Sequence, residues 1–259
     1  GKQIVYGNDV NTADGKRYRL GYSSDVEKDV CSVFGWDNGS KYSKPSGDLE
    51  IPSEIKINGT VKRVTFISDM AFNECPELKS VNIPFGITSI GNFAFSDCSG
   101  LKSIVIPDGI TSIGDYAFSG CSELTSVFIP NSVTFIGNSA FYDCSKLVSV
   151  YLPNGITSIN KDTFFDCEEL KSISIPDSVT SIGDSAFFGC SFVSIDIPDS
   201  VISIGNDAFS ECYELEYINI PDSVTSIGDS AFFSCHELVS VHLSNGITSI
   251  NDSTFSNCY

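Results

Sequence analysis

The sequence predicts a mainly β fold: a solenoid of about nine coils with a parallel concave sheet, short helical turns at most, and a β-structured cap at the N-terminal end. Two observations support this prediction. A cysteine returns every 23 residues, with one interval of 22, and each interval contains an alternating apolar segment that usually ends at a proline. Periods of about 20 to 50 residues are typical of repeats that stack into solenoids. The periodic cysteines are Cys75, Cys98, Cys121, Cys144, Cys167, Cys190, Cys212, Cys235 and Cys258.

The stretch 124–144 shows how one unit is built. Val127 and Ile129 have strand spacing and lie on one face of a strand. Pro130 ends that strand because it has no N–H to donate to a sheet ladder. A second short apolar edge follows, and a glycine then turns the chain.

The last third of the unit is predicted to be a short helical turn. Asn138, or an aspartate in other coils, lies where such a turn would take an N-cap oxygen. Ala140, Phe141 and Cys144 then point inward at helical spacing. Because one coil cannot bury its apolar face alone, successive coils must stack, with equivalent side chains about 4.8 Å apart.

The nine periodic cysteines are predicted to be buried free thiols. Each lies beside a phenylalanine and faces the interior as a small apolar group. Stacked neighbours would have parallel Cβ vectors about 4.8 Å apart, whereas a disulfide needs about 3.5–4.5 Å. A single file of thiols without CxxC pairs or a nearby histidine is also a poor metal site, so no metal or cofactor is predicted. Cys31, outside the period, is interpreted as a lone thiol.

Residues 1–47 lie outside the repeat and are predicted to form the N-terminal cap, whereas residues 48–259 form the solenoid. Short strands are expected at 18–20 and 30–34, with Trp36 on the first coil, because a solenoid needs a cover over its first apolar layer. That coil is degenerate and carries a hairpin signal at Asn58-Gly59. The chain begins without methionine and ends without a polar capping repeat. We therefore interpret it as a mature or engineered fragment, truncated at the C-terminal end.

Charge and motifs argue against several classes of function. The formal net charge is -18 and no basic stripe exists, which argues against nucleic acid or an anionic membrane as partner. No apolar run is long enough to cross a bilayer. Only His236 and His242 are present, and no phosphate loop, Ser-His-Asp set or metal motif occurs. The sequence therefore predicts that the protein is not an enzyme.

The units, for example IPDSVTSIGDSAFFGC at 175–190, resemble the repeats of the BspA-like leucine-rich repeat family. Segment 47–52 and the Asn58-Gly59 hairpin resemble that family's first repeat. The resemblance covers residues 48–259 and makes the predicted fold a leucine-rich-repeat solenoid. It implies a secreted or surface-exposed protein of bacteria or protozoa, often host-associated. Some members of the family are linked to adhesion, co-aggregation and binding of matrix proteins such as fibronectin and fibrinogen, and the family has no catalytic motif.

The candidate ligand-binding residues lie on the open face of the predicted sheet, between the two inward residues of each strand. Val105, Phe128 and Tyr151 are consecutive and apolar there, and exposed aromatic patches with polar borders often mark interaction sites. Asn82 and Asp196 complete the predicted site. Alternatively, the rings only stack on each other and stiffen the sheet. The whole column reads Asn82, Val105, Phe128, Tyr151, Ser174, Asp196, Asn219 and His242.

The partner predicted for this face is a protein, such as an extracellular matrix or host surface protein, or a glycan, met outside the cell or at its surface. A structural spacer about 43 Å long is the alternative. Thr-Ser pairs recur on a second edge, but Phe135 and Ile202 interrupt them, which favours a structural role. Asp177, Asp199 and Asp222 stack after the prolines and leave a weak calcium site open.

Overall fold

The computed structural model describes residues 2–11, 16–25, 30–37, 39, 41–243 and 245–259, and for residues 2–4, 10, 24–25 and 30–31 the backbone alone. Within these ranges the chain forms 23 β-strands and no helix. The strands wind into a β-solenoid of about eight regular turns after one modified first coil. The predicted fold class is therefore confirmed, and the short helical turns it allowed are hydrogen-bonded turns.

Five strands precede the first coil: β1 (Lys2–Tyr6), β2 (Val10–Asn11), β3 (Arg17–Tyr18), β4 (Leu20–Asp25) and β5 (Val30–Trp36). Strands β1, β4 and β5 pair antiparallel, and β2 pairs with β3 in a separate ribbon. The strand expected at 18–20 is divided between the end of β3 and the start of β4, the strand expected at 30–34 lies within β5, and Trp36 packs partly buried against the core. The side chain of Cys31 lies outside the described set.

The first coil consists of β6 (Gly47–Glu50), β7 (Glu54–Ile57) and β8 (Thr60–Ile67). Strands β7 and β8 form the expected hairpin, in which Asn58 and Gly59 take φ values of 49° and 83°. Strand β5 pairs parallel with β8, so the sheet of the cap continues into the solenoid. Gly35 of β5 lets the cap lie close to the turn that follows β8, because at its φ of 139° an added Cβ would be 2.6 Å from the Ala71 carbonyl oxygen. We propose that residues 1–47 cap the solenoid of residues 48–259.

Regular coils contribute one strand to each of two parallel ladders, except that the last coil, with β23, has no second strand within the described residues. The first strands are β9 (Leu78–Asn82), β11 (Ser103–Val105), β13 (Ser126–Phe128), β15 (Ser149–Tyr151), β17 (Ser172–Ile173), β19 (Ser194–Asp196), β21 (Tyr217–Asn219) and β23 (Ser240–His242). The second strands are β10 (Ser89–Ile90), β12 (Ser112–Ile113), β14 (Phe135–Ile136), β16 (Ser158–Ile159), β18 (Ser181–Ile182), β20 (Ser203–Ile204) and β22 (Ser226–Ile227). First strands pair in three runs: β6 with β9 and β11, then β13 to β17, then β19 to β23.

The turns form a third ladder between coils. In coil after coil, backbone N–H groups of the turn donate to carbonyls of the next turn, for example Phe118 to Ala140 and Phe141 to Thr163. Non-glycine residues with positive φ recur in these turns. The Asp115 carboxylate, expected as a helix cap, instead accepts the backbone N–H of Asn138 one coil later at 2.8 Å. The short polar residue at this position therefore joins neighbouring coils.

The core is a continuous interior with two regular files. Buried phenylalanine rings stack from coil to coil with centroids 5.3–5.6 Å apart, as for Phe118, Phe141 and Phe164. The periodic thiols are free, and all but the partly buried Cys258 are buried. The Cys144 thiol donates to the Phe118 carbonyl at 3.2 Å, and burial raises the pKa of that thiol well above its ordinary value. The thiols therefore satisfy carbonyls as well as fill space.

Candidate interaction face

The open face of the first strands carries the predicted site. In a strand, successive side chains point to opposite faces, so Val127 points inward while Ser126 and Phe128 point outward. Val105, Phe128 and Tyr151, hereafter the aromatic patch, occupy the same outward position on β11, β13 and β15. Their side chains are 69%, 59% and 45% exposed. The structure therefore places these three predicted residues side by side in solvent.

The two rings of the aromatic patch stack on each other. Phe128 and Tyr151 are direct partners in the parallel ladder, and their ring centroids lie 4.8 Å apart with planes 14° apart. The stacking expected under the alternative interpretation, in which the rings only stiffen the sheet, is therefore present. Each ring nevertheless keeps about half of its surface in water, so stacking fixes the geometry of a flat apolar surface without covering it.

The two polar members of the predicted site lie at different distances from the patch. Asn82 pairs with Val105 across β9 and β11, and its amide donates to the Glu50 carboxylate at 2.9 Å. Asp196 lies on β19, beyond Ser174, in the next run of strands. Asn82 thus borders the patch directly, whereas Asp196 belongs to the C-terminal part of the same face.

Basic side chains accompany the patch along the edge where the first strands begin. The Lys146 ammonium donates to the Glu123 carboxylate at 2.5 Å. Lys102 lies one coil after Lys79, and its backbone N–H donates to the Lys79 carbonyl. The Lys146 hydrogen bond, with Lys102 and Lys79 nearby, holds the pKa of the Glu123 carboxyl below its usual range. Lys79, Lys102 and Lys146 therefore surround the Glu123 carboxylate and give this edge basic as well as acidic side chains.

Other exposed apolar residues flank this face and were not predicted from the sequence. Phe85, after Pro84, is 80% exposed in a position that other coils fill with aspartate or asparagine. Tyr217 is 51% exposed on β21, where the neighbouring strands carry Ser194 and Ser240. A search for apolar residues in every outward column, and not only in the column between the two inward residues of each strand, would have found both.

The two polar arrays behave as structural elements. Threonine hydroxyls of the second edge donate to carbonyls of the preceding coil, as Thr111 does to Thr88 at 3.1 Å. Asp222 of the acidic column accepts from the backbone N–H of Asn245 at 3.1 Å. Over the described ranges, no group of three or more His, Cys, Asp or Glu side chains could hold a metal ion. Nor do the described residues include a helix able to cross a membrane.

Comparisons with known proteins agree with this architecture. A leucine rich cell surface protein from Faecalibacterium prausnitzii A2-165 is 27% identical and similar over 97% of this chain and 80% of its own, with a TM-score of 0.68. The pneumococcal vaccine antigen PcpA (20% identity, 93% and 71% coverage, TM-score 0.62) and a T. pallidum leucine rich repeat protein (24%, 88% and 91%, 0.55) share the fold. No curated protein matches the chain.

The fold and the open strand face define a leucine-rich repeat solenoid, a class built around extended binding surfaces. The family model described as BspA type leucine rich repeat region matches in six copies, over residues 65–191 and 157–259. The chain belongs to this BspA-type family, as the sequence pattern predicted. The matched family and structures are leucine-rich repeat proteins, and none indicates a catalytic family.

Proposed function

We propose that this protein is a non-catalytic interaction scaffold, secreted or displayed at a cell surface, that binds a protein partner through the aromatic patch. The family supports a protein-interaction role, and the cell surface protein from F. prausnitzii supports the location. The finer form of the proposal is adhesion to a host or matrix protein or to other cells. A glycan is the alternative ligand.

The observation that carries the proposal is the exposed, pre-ordered apolar surface of the patch. Phe128 and Tyr151 are held by stacking and by flanking backbone bonds, so little side-chain entropy would be lost when a partner covers them. Aromatic side chains at the centre of a contact with a polar rim are the usual source of binding energy in protein interfaces. Asn82 and the nearby lysines provide such a rim.

The test is a double substitution, Phe128→Ser with Tyr151→Ser, in which serine copies Ser174 at the equivalent position of the next coil. We expect binding to immobilised fibronectin, fibrinogen or mucin, whichever the unmodified protein binds, to fall at least tenfold, because hot-spot aromatic residues each contribute about 2 kcal/mol or more. Phe135→Ser is the control, since this half-exposed phenylalanine lies on the second ladder and neighbouring coils carry serine there.

The spacer alternative predicts a different outcome. If Phe128→Ser with Tyr151→Ser keeps full binding and an unchanged fold by circular dichroism, the patch is not the contact surface. If none of fibronectin, fibrinogen and mucin binds the unmodified protein, the spacer alternative is favoured, in which the column is a rigid support for another domain.

A further inference from the structure

Charge is strongly segregated along the solenoid. Lys171 is the last basic residue of the sequence, and residues 172–259 contain twelve Asp and Glu and neither Lys nor Arg. Residues 64–171 contain five lysines and twelve carboxylates, and residues 1–63 are almost neutral, with ten basic and nine acidic residues. The C-terminal coils therefore carry twelve of the eighteen net negative charges and have no internal cation to pair them.

Several of these carboxylates lie on the open face of the first strands. Asp196 is exposed on β19, and Glu216 directly precedes β21. Asp199 and Asp222 follow the prolines and line one cavity with the outward residues Asn219 and His242. Four carboxylates therefore border a sheet face that no described part of the chain covers.

This surface also contains an exposed aromatic side chain. Tyr217 replaces the serine that β19 and β23 carry at the same position, and it pairs with Ser194 on one side and Ser240 on the other. Val193 and Val239, one residue before β19 and β23, are exposed on either side of Glu216 in the adjacent column. A face that carries both an exposed aromatic ring and carboxylates suits an arginine side chain, because the guanidinium group can both stack and form ion pairs.

We propose that this acidic face, defined by Asp196, Asp199, Glu216, Tyr217 and Asp222, is a second docking surface and that its partner is an arginine- and lysine-rich protein segment. Charge complementarity selects this occupant: like-charged proteins are repelled, and the carboxylates, which have no Lys or Arg in residues 172–259 to neutralise them, lie on the same side as the exposed ring. The surface is distinct from the aromatic patch, so it does not depend on the function proposed above.

The experiment measures binding of three synthetic peptides, oligoarginine, oligolysine and oligoglutamate, by fluorescence anisotropy at two salt concentrations. We expect oligoarginine to bind more tightly than oligolysine, no binding of oligoglutamate, and weaker binding at higher salt. Asp196→Asn with Glu216→Gln should weaken oligoarginine binding about 3- to 10-fold, the effect of losing two exposed ion pairs. Tyr217→Ser should reduce the preference for arginine over lysine.

The matched control is Asp184→Asn with Asp229→Asn, which also removes two charges, one in the coil before that of Asp196 and one in the coil of Glu216, both just after the second ladder. Asp184 accepts the Asn206 backbone N–H at 2.8 Å, and Asn206 does the same for Asp229, so asparagine fits this position. Less than a twofold change is expected for this control. Equal weakening by both pairs would show only diffuse charge attraction, and absent oligoarginine binding would refute the site; either overturns the proposal. Phe128→Ser with Tyr151→Ser should leave peptide binding intact.

Discussion

Phe141→Ala tests whether the stacked phenylalanines hold the coils together. Phe141 is fully buried near the middle of the file, with ring centroids 5.4 Å from Phe118 and 5.6 Å from Phe164. Replacing a buried phenylalanine with alanine removes apolar contact and leaves a cavity, at a cost of about 3–5 kcal/mol. Phe255, at the C-terminal end of the file, is partly buried and stacks on Phe232; it provides the comparison, with a loss of about 1–2 kcal/mol.

Unfolding in urea can be followed at the N-terminal end and, independently, over the whole molecule. Trp36, the single tryptophan, lies in strand β5 of the cap, so its fluorescence reports the N-terminal end, while circular dichroism reports all strands. In a stack of repeats, stability is approximately the sum of coil terms and contacts between neighbours. A defect at Phe141 weakens the central contacts, so we expect the dichroism transition to move to lower urea and to separate from that of Trp36.

Two results would refute this reasoning. A loss below about 1 kcal/mol would show that the ring file is not the main contact between coils. Coincident transitions after a full loss of about 3–5 kcal/mol would show that the chain unfolds as one globular unit rather than as a stack of coils. Phe255→Ala controls for general effects of removing a ring from the file.

The remaining predictions concern buried and crowded groups. In the native protein at pH 8, a thiol reagent should label no more than two of the ten cysteines, because eight are buried and burial raises the pKa of thiols such as that of Cys144. All ten should be labelled in denaturant. Rapid labelling of more than two in the native protein would contradict a sealed interior. Asp166→Asn should stabilise the protein by about 0.5 kcal/mol at pH 7, since burial and the neighbouring Asp143, Glu168 and Glu211 raise the pKa of the Asp166 carboxyl. In thermal unfolding, this gain should shrink as pH falls through the raised folded-state pKa and vanish below about 3.9, where both states are protonated. Asp177→Asn, which removes a carboxylate from the exposed column, is the control for loss of one charge.

Local patterns explain why much of the architecture could be predicted. Alternation at Val127 and Ile129 marks a strand, Pro130 ends it, and Asn58-Gly59 allows a two-residue hairpin, so each of these features follows from a few adjacent residues. The cysteine period predicted the stacking because it repeats a buried position. All of these features are present in the structure.

Contacts between coils were less accessible to prediction. Tyr116 and Ser139 adopt positive φ although neither is glycine, and the resulting turn ladder depends on the neighbouring coil rather than on local preference. The Asp115 oxygen bonds across coils for the same reason. The thiols were treated as small apolar groups, and that view missed their hydrogen bonds to phenylalanine carbonyls.

The candidate site, too, was predictable only in part. Counting alternate residues correctly placed Phe128 and Tyr151 in solvent, but it considered one outward position per strand. Two side chains of a strand such as β13 face outward, and Tyr217 occupies the column that was passed over; Phe85 lies in the column after the prolines, which was considered only for its aspartates. The loss of basic residues after Lys171 is visible in the sequence, but which of the remaining carboxylates lie on the open face depends on which columns share one side of the coil.

The most direct test of the account is to map where a captured matrix protein contacts the solenoid, by hydrogen–deuterium exchange of the complex against the free protein. Partner binding through the aromatic patch predicts slowed exchange at the backbone amides of residues 103–105, 126–128 and 149–151. Slowed exchange confined to the turn segments, with these strands unchanged, would place the contact on another side of the molecule and contradict the proposed role of the open face.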